Sequence, residues 1–176
     1  MKFIPLALEG AFCIDLEKKE DERGFFARSF CEEEFTRQNL VPTFPQCNIS
    51  FNAKKGTLRG MHYSLAPFAE TKLVRCIRGK AYDVLVDIRP DSKTYLQWVG
   101  IEISAENRRM VYIPEGMAHG FQTLEDDTEL FYHMSAPYSA ACAKGVRWDD
   151  DAIQIKWPIP NPILSPRDRE FERVRR

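Results

Sequence analysis

The sequence is short of net charge, of long apolar runs and of histidine, and each shortage closes a class of function. Lysine and arginine number 25 against 26 aspartates and glutamates, a formal net charge of −1, so no global field draws the chain to nucleic acid or to an anionic membrane. No apolar run approaches the ~20 residues of a membrane span. The start, Met1-Lys2-Phe3-Ile4-Pro5, lacks the apolar stretch of a signal peptide. A cytoplasmic protein with neither nucleic acid nor membrane as partner is expected. The five cysteines (Cys13, Cys31, Cys47, Cys76 and Cys142) are odd in number and have no CxxC spacing, which argues against a disulfide framework and a zinc cluster. Most are expected to be buried small hydrophobes in a reducing compartment. The three histidines, His62, His119 and His133, stand far apart, whereas metal sites in β-barrels usually gather two or three with a carboxylate, often as H-x-H. No metal is expected. Gly-x-Ser-x-Gly and P-loop motifs are absent too, so nucleophilic hydrolysis and nucleoside triphosphate chemistry have no support.

What remains is enough for one well-packed domain spanning residues 1–176: the chain has 176 residues, 44% of them hydrophobic. Residues 3–17 read as extended segments broken by Pro5 and Gly10. Residues 18–24 read as a charged turn in which Arg23 is either solvated or an anion ligand. Residues 31–38 read as a short surface helix anchored by Phe35. From Gln46 the chain is a succession of short β segments: 71–77, 82–88, 95–103, 109–113 and 129–134, separated by Gly, Pro or Asp turns. By the two-residue period Tyr82, Val84, Val86 and Ile88 share a face. Such spacing predicts an all-β sandwich or barrel with a few short helices, not alternating βαβ units. The proline-rich stretch 148–162 is expected to wrap over the domain. Ser165, Pro166 and Asp168 fit N-cap, N1 and N3 of a final helix.

The stretch Gly56-Thr57-Leu58-Arg59-Gly60-Met61-His62-Tyr63 places an arginine three residues before a histidine, a pairing that can hold an anion beside a base. Ideal strand alternation would send Arg59 and His62 to opposite faces, so both enter one pocket only if the strand bulges, which Gly60 would permit. His62 reads as a base, a hydrogen-bond donor or a core residue. Each other candidate has a plain structural reading. Asp168 is a helix-cap carboxylate, Lys72 a solvated strand charge, Tyr132 a core tyrosine and His119 a cap for its Pro/Gly-bounded turn.

Six ordered motifs change the weighing. Gln46-Cys47-Asn48-Ile49-Ser50, the Gly56–Tyr63 stretch, Lys72-Leu73-Val74-Arg75, Pro114-Glu115-Gly116-Met117-Ala118-His119-Gly120-Phe121, Trp148-Asp149-Asp150 and Leu164-Ser165-Pro166-Arg167-Asp168 together resemble the dTDP-4-dehydrorhamnose 3,5-epimerase family, from about Asp21 to Asp168. The resemblance implies a cupin-type jelly roll, a homodimer, no metal or other cofactor, and a nucleoside-diphosphate-linked 4-keto-6-deoxy sugar as substrate. It assigns His62 as base, Asp168 as the carboxylate that orients it, Lys72 as oxyanion stabiliser and Tyr132 as acid. It gives Arg23, Gln46, Asn48, Arg59, His119, Tyr138 and Arg167 to substrate binding, and no role to His133, which reads as structural. Deprotonation at C3 or C5 beside the C4 ketone, and reprotonation from the other face, would invert either centre or both.

Three departures from the family pattern fall outside the acid–base set. Arg28 stands where a glutamate is common, Ser64 replaces a frequent glutamine, and the loop 137–143 lacks the family's proline and both its glutamates after Tyr138, with Ala140, Ala141 and Ala143 among its residues. All are expected to lie where nucleotide and sugar identity are decided. A catalytically silent sugar-nucleotide-binding cupin and a 3,4-ketoisomerase on the same scaffold are the alternative readings.

Overall fold

Two antiparallel sheets face each other across an apolar core in the computed structural model, which describes residues 1–174. The strands are β1 (Lys2–Pro5), β2 (Phe12–Asp15), β3 (Lys19–Asp21) and β4 (Gly24–Phe26), then, after helix α1 (Glu32–Arg37), β5 (Gln46–Asn52), β6 (Leu58–Ser64), β7 (Lys72–Arg78), β8 (Lys80–Asp87), β9 (Trp98–Ser104), β10 (Met110–Ile113), β11 (Met117–Thr123), β12 (Thr128–Met134) and β13 (Ala143–Gly145); α2 (Pro166–Glu170) follows. One sheet runs β1-β2-β10-β7-β12-β5 and the other β13-β6-β11-β8-β9, with β3-β4 a separate hairpin. Among the described residues no helix is long and apolar enough to cross a membrane.

The core follows strand parity. Val74, Cys76, Val111, Ile113 and Leu130 of the first sheet meet Ala81, Leu85, Ile103, Met117 and Phe121 of the second. The opposite face of the first sheet, with Ile14, Leu73, Met110 and Tyr112, is covered by Phe35, Leu40 and Phe44. Phe35 is fully buried, as its reading as anchor of the short helix required. The outer face of the second sheet carries Met61, Val84, Val86 and Ala118, with Tyr82 and Ile88 on the same side. The proline-rich wrap packs Ile153, Ile155 and Trp157 onto it.

Four sequence readings need correction. Residues 117–123, taken for a turn around His119, form a fully buried central strand between β6 and β8; the turn ends at Gly116, whose φ of 77° suits it to reverse the chain. Residues 95–97 are not strand. Asp87 accepts hydrogen bonds from Arg89, Ser92 and Thr94 at 2.6–3.0 Å and fixes the loop before Trp98. The charged segment 18–24 is mostly the hairpin β3-β4. Of the five cysteines, all free, only Cys13 and Cys76 are buried, and Cys47 is exposed.

Candidate active site

A cavity of about 490 Å³ opens between the two sheets. From the second sheet β6 contributes Arg59 and His62, and β11 contributes His119. From the first, β5 contributes Gln46 and Asn48, β7 contributes Lys72 and β12 contributes Tyr132. Tyr138 and Arg167 complete the wall. The strand-parity obstacle is removed by a bulge: His62 pairs with His119 but Arg59 with Phe121, so Gly60 and Met61 together oppose Gly120 alone. A Cβ on Gly60 would lie 2.6 Å from Gly120 Cα, so the two strands approach closely only because both residues are glycine. Arg59 and His62 thereby enter one pocket. Asn52 steadies Arg59, whose Nε donates to Asn52 Oδ1 at 2.7 Å.

His62 Nε2 lies 2.7 Å from Asp168 Oδ1. With the carboxylate ionised, Nε2 carries the hydrogen and donates it, leaving Nδ1 as the proton-accepting nitrogen. Asp168 also fills its helix-cap place, its backbone N–H donating to Ser165 Oγ at 3.1 Å. The cap reading and the dyad are thus both true of one residue. Burial alone would raise the Asp168 carboxyl, but the His62 hydrogen bond and charge, the Ser165 hydroxyl and the Gly60 backbone outweigh it and bring it below the ordinary aspartate range.

The Trp148-Asp149-Asp150 motif explains how α2 reaches β6. Arg147 Nη1 donates to Arg169 O at 3.0 Å, and the Val174 N–H donates to Asp150 Oδ2 at 2.6 Å, so the C-terminal tail is tied down on both sides. Phe171 then rests edge-on to His62, ring centroids 5.7 Å apart, in space left by Gly145.

Tyr132 faces this dyad from the other sheet. Burial raises its phenol above the usual range, with Arg59 pulling it down and Glu70 pushing it up, so a proton stays on its oxygen at neutral pH. Lys72 Nζ lies 3.1 Å from Glu70 Oε1, and the solvated-charge reading of Lys72 fails because the residue is buried. His119 Nε2 lies 2.7 Å from Asp83 Oδ1, and Tyr138 N–H donates to Gln46 Oε1 at 3.1 Å.

Arg23 is not brought to this cavity. Its side chain is 84% exposed at the hairpin tip and paired with Asp21. Arg28, paired with Glu34, is also remote from the cavity lining, so of the departures expected near the substrate, Ser64 and Ala143 line the pocket and Arg28 does not. His133 sits in an aromatic cluster, 4.7 Å from the Phe131 ring, and burial lowers its pKa; it is absent from the cavity lining.

Sequence reading missed Asp83, Glu70, Phe171 and Lys144. Asp83 was visible in principle: the parity that groups Val84 and Val86 puts Asp83 toward the core, where a carboxylate needs a partner. Glu70 shares a face with Lys72 by the same period. Phe171 and Lys144 carried no local signal.

A family profile for dTDP-4-dehydrorhamnose 3,5-epimerase matches residues 5–176. The chain is similar to the dTDP-4-dehydrorhamnose 3,5-epimerase of Shigella flexneri, 48% identical over 149 residues that cover 84% of this chain and 82% of the relative. The crystal structure of the enzyme of that name from Bacillus anthracis, with TDP and PPi bound, superposes with a TM-score of 0.95 at 39% identity, over 98% of this chain and 99% of the other. A double mutant of a 3′-monoepimerase from Streptomyces bikiniensis, in complex with dTDP, superposes with a TM-score of 0.88 at 34% identity, over 97% and 86%.

Proposed function

The chain belongs to the dTDP-4-dehydrorhamnose 3,5-epimerase family and is an isomerase of dTDP-linked 4-keto-6-deoxy sugars in deoxysugar biosynthesis; we propose that it inverts both C3 and C5 through an enolate, with His62 as base and Tyr132 as acid. The observation that carries this reading is that the two groups stand on facing sheets of one cavity, the histidine held by a carboxylate and the phenol kept protonated by burial. The C4 ketone acidifies hydrogens on C3 and C5. His62 Nδ1 removes one, Asp168 stabilises the imidazolium, the Lys72 ammonium supports the C4 oxyanion, and Tyr132 returns a proton from the other side. A binding module would have no use for such an acid–base pair across its pocket, which weighs against the silent reading.

Arg59, Arg167, Asn48, Gln46, His119 and Tyr138 hold the nucleoside diphosphate and sugar; arginine suits the diphosphate because its planar fork meets two oxygens at once. The working unit is a homodimer of single-domain chains in the reducing cytoplasm. Support for the dimer comes from the open edge of β5, where Ile49 is 59% and Phe51 49% exposed, and from Phe26, 74% exposed on the hairpin. In that assembly Arg23 serves the diphosphate of the second copy, since it stands outside its own cavity.

The test is to offer a dTDP-linked 4-keto-6-deoxyhexose in deuterated water and locate the label. Label at C3 and C5 with both centres inverted supports the reading. Label at C3 alone makes the protein a monoepimerase, saturable binding without label restores the silent module, and a C3 ketone in the product indicates ketoisomerisation.

A further inference from the structure

Four lysines and arginines line the cavity: Arg59, Lys72, Lys144 and Arg167. One carboxylate does, Glu70. A carboxylate in a pocket that must accept a diphosphate repels its ligand, so its presence calls for a compensating role. Of the four cations, only Lys72 has a carboxylate partner among the described residues: Glu70 Oε1, at 3.1 Å, with each side chain 10% exposed. Arg59 is held by neutral oxygens of Asn52 and Phe51, and Arg167 lies over the Phe171 ring.

The local chain fixes this pair. Thr71 exchanges hydrogen bonds with Ser135, its N–H donating to Ser135 Oγ at 2.8 Å and its carbonyl accepting from the Ser135 N–H at 2.9 Å. That clamp holds the extended backbone at the entrance of β7, where residues 70 and 72 point the same way. Both side chains are therefore delivered to the cavity that Tyr132 also lines.

We propose that Glu70 is a positioning residue that divides the cations of the pocket, holding the Lys72 ammonium at the sugar ketone and away from the diphosphate, which is left to the unpaired arginines and Lys144. The inference rests on the oxyanion role given to Lys72 above. It predicts opposite effects on catalysis and on nucleotide binding. Without the carboxylate, Lys72 swings toward the phosphates. The ketone then loses an aligned donor, and misplacement of a catalytic group by ~1 Å can cost on the order of 10² in rate. Nucleotide binding loses a repulsive charge.

Glu70→Gln, close to isosteric, is tested by steady-state epimerisation and by calorimetric titration of dTDP alone. The expected result is a kcat lowered about 10- to 100-fold with a dTDP Kd unchanged or lower. In addition, Glu70→Gln combined with Lys72→Met should be no slower than Lys72→Met alone, because Glu70 acts through Lys72. An unchanged kcat overturns the proposal. So does a parallel loss of kcat and dTDP affinity, the signature of a damaged pocket, and so does a double variant slower than Lys72→Met. A wild-type protein that exchanges no protons overturns the epimerase reading along with this one, whereas normal turnover by both wild type and Glu70→Gln overturns this one alone.

Discussion

His62 and Asp168 lie 106 positions apart in the chain and 2.7 Å apart in space, joined because the C-terminal helix α2 folds back over β6. The carboxylate fixes which ring nitrogen carries hydrogen, and so which one is free to accept a proton.

His62→Asn removes the proposed base and leaves the proposed diphosphate ligands in place. A positioned acid or base is worth roughly 10²–10⁴ in rate, so kcat should fall by that factor while dTDP binding measured by calorimetry stays near the wild-type value. Near-normal turnover would remove His62 from the mechanism.

Asp168→Asn separates the electrostatic from the capping role, because the backbone N–H bond to Ser165 is kept. The folded-state pKa of Asp168 is lowered, so its contribution to stability is fully present above the unfolded value of about 3.9 and is lost as pH falls through the folded value. Denaturant melts from pH 7 down to pH 3 should therefore lose stability more steeply in the wild type than in Asp168→Asn. Parallel curves would mean that folding does not lower the Asp168 carboxyl.

Tyr132→Phe keeps the proposed base and removes the proposed acid. Solvent deuterium should still enter unreacted substrate, because the proton taken up by His62, 39% exposed, exchanges with solvent before a deuteron is returned to the original face, while inverted product falls by about 10²–10⁴. Inversion at the wild-type rate would show that another group, or water, delivers the second proton.

The β sandwich was legible in the sequence because half-buried strands alternate and their turns carry Gly, Pro or Asp, as in 82–88. The central strand 117–123 was not. Buried on both faces, it has no alternation, and its His, Gly and Gln resemble turn residues until β6 and β8 pair with it. In the site, parity correctly identified the conflict between Arg59 and His62, but its solution lies in a bulge made by two strands distant in sequence. The cap motif of Ser165 and Asp168 was readable locally. Its contact with His62 was not, since it depends on the Arg147 and Asp150 ties to the tail.

The dimer is tested at the edge of β5. Phe51→Glu places a charge in the proposed contact at a position exposed in the single chain and outside the cavity lining, so the monomer fold should survive. Sedimentation should move from dimer to monomer. Affinity for dTDP should fall with it, because Arg23 then has no second pocket to serve. A monomeric wild type would place Arg23 outside substrate binding altogether, and a variant still dimeric would move the contact away from the β5 edge.

Gly120→Ala tests whether the bulge is what brings His62 and Arg59 together. A Cβ at residue 120 would stand 2.6 Å from Met61 Sδ, 2.8 Å from the Arg59 carbonyl oxygen and 3.0 Å from Gly60 Cα. The sulfur can move, but the two backbone atoms can separate only if β6 lifts from β11. Such overpacking costs about 1–3 kcal/mol, which a thermal melt would register as a modest fall in Tm rather than loss of the fold. The lift displaces Arg59 and His62 together, so dTDP affinity and kcat should both fall, kcat by on the order of 10² for a shift of ~1 Å. In Glu70→Gln, by contrast, kcat falls while dTDP affinity does not. A Gly120→Ala protein with a lowered Tm but unaltered kcat and dTDP binding would mean that the close approach of the two strands serves stability alone.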